Sequence, residues 1–88
     1  MRETLKAALM HYGLKEQSIK MMEECGELIV EIGHIWAGRG NINKLAEEVA
    51  DVQIMLEQMK MGFEMEEEVN KFVGEKIIRL KQRLEEAK

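Results

Sequence analysis

The sequence predicts an all-α protein, a compact bundle of about four helices, and three observations point there. Proline is missing from all 88 residues and only four residues are aromatic, while Glu, Lys, Leu, Met and Ile are abundant. Those abundant side chains lose little freedom in a helix, so the composition favours helices over a sheet. Apolar residues then recur at helical spacing, and glycines separate the periodic segments. Eighty-eight residues make one domain, spanning 1–88. A chain this short buries little more than about 60 % of its unfolded surface, so assembly with further copies would add stability.

The first helix is expected from Arg2 to Tyr12, stopped near Gly13. A long second helix follows from Leu14 to Ala37 and ends at the Gly38-Arg39-Gly40 turn. Its apolar arc, Ile19, Met22, Cys25, Leu28, Ile29, Ile32, Ile35 and Trp36, covers more than half the circumference. Such a helix belongs at the centre, packed on several neighbours. The narrow polar strip that remains holds Lys20, Glu23, Glu24, Glu27, Glu31 and His34 and is almost wholly acidic. Solvated faces usually mix signs. Asn41 or Asn43 caps a third helix running to about Gly62. A fourth extends from Met65 to Ala87, with Glu66, Glu67 and Glu68 in the first turn, where the helix dipole favours negative charge. Val69, Phe72, Val73, Ile77, Leu80 and Leu84 form its apolar stripe; Lys76 lies within it and Arg79 and Arg83 on its flank. Short loops between such helices predict a bundle.

Charge and composition exclude several functions. A net charge of −4 gives no reason to expect polymeric nucleic acid or an anionic membrane as partner. No apolar run approaches the ~20 residues that span a bilayer, and no charged-then-apolar leader opens the chain. One cysteine makes no internal disulfide, which fits a reducing, cytoplasmic setting. Cys25 is on the apolar arc and is expected to be a core thiol. Eight methionines suit irregular gap-filling.

The acidic residues need a different explanation. Glu23, Glu24 and Glu27 form one cluster and Glu47, Glu48 and Asp51 another. Like charges at helical spacing repel by roughly 0.2–0.5 kcal/mol per pair. Glu48 shares a stripe with Val52, Met55 and Met59, so it takes a core position, and Asp51 stands at the edge of that stripe. A buried carboxylate neutralises, pairs or binds a metal. Glu24/Glu27 and Glu48/Asp51 on facing helices could converge on a hard divalent cation. Oxygen-only ligands favour Mg²⁺ or Mn²⁺ over zinc. Mg²⁺ often works with substrate phosphates, which Lys44, Lys76 and Arg79 could hold. The plain alternative is a solvated acidic face.

Glu23-Glu24-Cys25-Gly26-Glu27, followed after twenty residues by Glu48-Val49-Ala50-Asp51, resembles the E-E-x-x-E…E-x-x-D signature of the MazG-like all-alpha nucleoside triphosphate pyrophosphohydrolases. The resemblance covers about residues 15 to 85. It implies an oligomerising bundle, a homodimer or homotetramer, that hydrolyses a nucleoside triphosphate to the monophosphate and pyrophosphate with Mg²⁺, as relatives that cleanse a nucleotide pool would. Glu24, Glu27, Glu48 and Asp51 would be the metal ligands by this resemblance. Glu23 and Glu47 would be catalytic, as supports for the ligands, further ligands or the base that orients water. Lys44 matches a lysine that often precedes the second motif. Relatives also carry N-x-K-F-x-R-R on the last helix; here Lys76 and Arg79 remain, while Gly74 replaces the asparagine and Leu80 the second arginine. Arg39 offers an alternative phosphate contact. Trp36 could stack on a base, although a lone Trp on an apolar arc is more often core or interface; Gln17 and Ser18 could reach a base edge.

Two rivals follow from the same residues. Glu31-Ile32-Gly33-His34 is an E-x-x-H, but a di-iron bundle needs two such motifs and Ala8 precedes His11. The non-enzymatic rival is a helical interaction module whose apolar faces serve only to dimerise.

Overall fold

The computed structural model describes residues 1–88. It is 86 % helical, without strands, in the order α1 (Arg2–Tyr12), α2 (Leu14–Trp36), α3 (Ile42–Gly62) and α4 (Glu66–Glu86). Each boundary falls within a residue or two of its expected place, the usual scatter of helix ends. Gly13 divides α1 from α2 at φ 90°, where a side chain would be strained, and its N–H donates to the Leu9 carbonyl at 2.9 Å. Of the two candidate caps for α3, Asn41 is the one used. Its Oδ1 accepts from the backbone N–H groups of Asn43 (2.8 Å) and Lys44 (3.3 Å). No helix is long and apolar enough to cross a membrane.

α2 and α3 form the principal pair and α1 lies against both. Leu5, Met55 and Met59 are the buried apolar residues. Ser18 ties the two long helices, donating to its own Leu14 carbonyl at 2.8 Å with Met59 Sδ at 3.6 Å. The α4 backbone comes close only to α3, at its root, and every residue from 70 to 88 is exposed. An exposed ion pair, Arg2 to Glu66 at 2.8 Å, ties that root to α1.

The orientation of α2 corrects the sequence reading. The residues it buries are Gln17, Glu24 and Glu31, seven apart and turned toward α3, not the apolar arc. Met22, Ile29 and Trp36, also seven apart, are exposed, Trp36 by 86 %. Trp36 is therefore outside the core of the chain, and Cys25 is only half-buried. The physical reason is coverage. One long helix and one short one reach only part of the α2 circumference, and the short loop to α3 turns the acidic strip into that seam. The α4 stripe is left bare likewise: Phe72, Val73, Ile77, Leu80 and Leu84 are all exposed.

Candidate metal centre

Glu24 and Glu27 stand one turn apart on α2, and Glu48 meets them from α3. One carboxylate oxygen from each of the three lies within 4.8 Å of the others. Two of these side chains are deeply placed: Glu24 is 6 % exposed and Glu48 9 %. Both sit in the α2–α3 seam, at positions that ordinarily take apolar side chains.

Their hydrogen bonding is incomplete. Glu24 Oε1 is 3.3 Å from the Lys20 ammonium, one turn earlier, and this contact and charge raise the Lys20 pKa. Glu24 Oε2 and Glu48 Oε2 are buried with no partner at all. Buried carboxylate oxygens normally have partners, because desolvation without compensation is costly. Burial raises the Glu48 pKa; contact with Glu27 and then the negative charges of Glu27, Asp51 and Glu24 raise it further. The cluster is thus built to accept positive charge, either a proton or a cation.

The site opens into a cleft of about 650 Å³ lined by Glu23, Gly26, Glu27, Val30, Glu31, Lys44 and Glu48. Glu23 and Lys44 therefore stand where the sequence places them, and Lys44 is the single basic side chain of the lining. Asp51 is exposed, one turn beyond Glu48 and outside the group of three, though close enough to act on Glu48 through its charge. Glu47 is exposed and does not line the cleft. Lys76 and Arg79 are exposed on α4 and do not line it either. Gln17 is buried beside a separate pocket of about 440 Å³ that also includes Tyr12 and Glu23. Arg39 is exposed.

Sequence reasoning weighed Glu31 only as half of an E-x-x-H pair and gave Lys20 no role beside the acidic cluster. Glu31 is as deeply buried as Glu24 and lines the cleft. Its Oε1 is 3.4 Å from His34 Nδ1, so the E-x-x-H pair closes on itself and the group of three carboxylates includes no histidine. The seven-residue spacing of Gln17, Glu24 and Glu31 was the available signal, since it marks one stripe of the helix.

No family model, curated protein or solved structure matches the chain. What the site does is therefore read from its own side chains.

Proposed function

We propose that this protein is a Mg²⁺-dependent nucleoside triphosphate pyrophosphohydrolase, with Mn²⁺ as an alternative ion. The observation that carries the reading is the trio Glu24, Glu27 and Glu48, contributed by two helices, with two buried oxygens left without partners. An all-oxygen donor set suits a hard divalent ion. Glu24, Glu27 and Glu48 would hold it, with Asp51 a fourth donor at the rim. The ion supplies neutralisation of the phosphoryl oxygens and Lewis acidity.

The chain's own residues do the rest. Lys44, at the cleft wall, faces the phosphate chain and stabilises charge that develops on departing pyrophosphate. Glu23, exposed on the same wall, would take the proton of the attacking water, and Glu47, outside the lining, would support the ligands from the rim. The water oxygen bonds to the α-phosphorus, the bond to the bridging oxygen breaks, and the nucleoside monophosphate and pyrophosphate separate. Removal of unwanted nucleotides from a pool is the corresponding biological role, and a homodimer or homotetramer the corresponding assembly.

Pyrophosphate release from canonical and modified nucleoside triphosphates, measured with Mg²⁺, tests the proposal. Turnover should require the metal and fall at least about 100-fold in Glu48→Gln. Equal rates in the wild type and the variant contradict it. A second reading, a helical self-association module without catalysis, draws on the bare faces of α2 and α4. It predicts no metal dependence of any property.

A further inference from the structure

We infer that Lys20 is a resident counter-ion of the metal centre: its ammonium pairs with Glu24, gives way there to a divalent cation, and has Glu16 as its second partner. This rests on the pyrophosphohydrolase reading and names a control on the loading of the same site.

Glu16, Lys20 and Glu24 follow one another at four-residue spacing on α2, so the lysine has a carboxylate one turn away on either side. A glutamate four residues before the lysine is the better pair in an isolated helix, because both side chains then complement the helix dipole. The structure has the other arrangement. The ammonium is 3.3 Å from Glu24 Oε1, while Glu16 is exposed and takes no part in any ion pair. The acidic cluster overrides the local preference. Glu24 is buried with Oε2 unpartnered. The hydrogen bond and charge of Glu24, then the charges of Glu23 and Glu27, hold the Lys20 pKa above its ordinary value. An uncompensated carboxylate in that seam is costly, so the ammonium turns toward the buried group and away from the exposed one.

A divalent cation supplies the same compensation with twice the charge. Held by Glu24, Glu27 and Glu48, it repels an ammonium on the Glu24 carboxylate, and a surface ion pair is too weak to resist. Lys20 is able to yield, because its side chain is 53 % exposed. Its path is short: Lys20 and Glu16 line one pocket of about 440 Å³, and Glu23 belongs both to that pocket and to the acidic cleft. Rotation of the lysine stem, with no movement of α2, exchanges one carboxylate for the other. The exchange keeps Glu24 compensated with or without the ion, and it raises the ion concentration at which the centre loads.

Mn²⁺ titration of four proteins tests this: the wild type, Lys20→Met, Glu16→Gln and the double variant. Both positions are exposed and both substitutions keep most of the stem, so all four should fold. Lys20→Met removes the competitor, and Mn²⁺ should bind about 3- to 10-fold more tightly. In chelator the same variant should melt below the wild type, because Glu24 then has no partner, and its rise on adding Mg²⁺ should be the larger. Glu16→Gln removes the second partner and should weaken Mn²⁺ binding about twofold. Most of that loss should disappear in the Lys20→Met background. Unchanged or weaker Mn²⁺ binding in Lys20→Met, beside a wild type that binds, overturns the competition and leaves the metal centre standing. Equal weakening by Glu16→Gln in both backgrounds overturns the exchange of partners. No Mn²⁺ binding by any of the four removes the centre, and the pyrophosphohydrolase reading with it.

Discussion

At the residue scale, Glu48 occupies a seam position on the same stripe as Met55 and Met59, which with Leu5 form the buried core. Its charge was legible in the sequence because the stripe it interrupts is otherwise apolar. Its neighbour Asp51 was harder to place: the spacing puts it at an edge, and the edge proves to be on the solvent side. The pKa of Glu48 lies above its ordinary value, chiefly through burial and then through Glu27. Its protonated form is thus favoured by folding. The stability it contributes is fully present below the unfolded carboxylate pKa and is lost as pH rises through the folded value. In chelator, the melting temperature should fall as pH rises through and above the usual carboxylate range. Glu48→Gln should flatten that slope and melt about a few degrees higher near neutral pH. A wild-type profile parallel to that of the variant would mean that Glu48 carries no such strain. Glu66 runs the opposite way, its pKa lowered by the Arg2 hydrogen bond. It favours folding above the unfolded pKa and loses that contribution as pH falls, but an exposed pair adds little.

At the scale of elements, helix limits were legible because they depend on local chemistry. Gly13 ends α1 in a left-handed conformation and Asn41 caps α3 with two hydrogen bonds. Asn41→Ala should cost about 1 kcal/mol, lowering the melting temperature by roughly 4–8 °C in calorimetry. The turn at Gly40 has a second constraint. A Cβ there would meet the Ile35 backbone nitrogen and Cα at 2.6 Å, contacts that only movement of the backbone relieves. Gly40→Ala should therefore destabilise by about 1–3 kcal/mol. It should also weaken Mn²⁺ binding, measured by titration, because this turn sets Glu24 and Glu27 against Glu48. Unchanged metal affinity would separate the turn from the site. Which face of α2 turns inward was not legible. Its hydrophobic arc is wider than its acidic strip, and periodicity reports an arc without naming what covers it.

At the scale of the whole molecule, the unread information concerns partners. Apolar patterning predicts burial somewhere, and for α4 and the outer side of α2 the single chain provides no cover. The seam of acidic side chains and the bare apolar arcs are thus two consequences of one arrangement. Ile77→Arg with Leu80→Arg changes exposed residues only, so helix content by circular dichroism should hold while sedimentation shifts to monomer. Association that survives both substitutions would remove α4 from the interface. The most direct measurement of the central claim, that Glu24, Glu27 and Glu48 share a divalent cation, is thermal unfolding at neutral pH with Mg²⁺ and with chelator. A ligand held at about 100 times its Kd stabilises by about 2.7 kcal/mol. Wild-type melting should accordingly rise by roughly 10 °C or more, with little or no rise in Glu24→Gln or Glu48→Gln. Identical melting with and without the ion, or the same rise in the variants, would contradict the site.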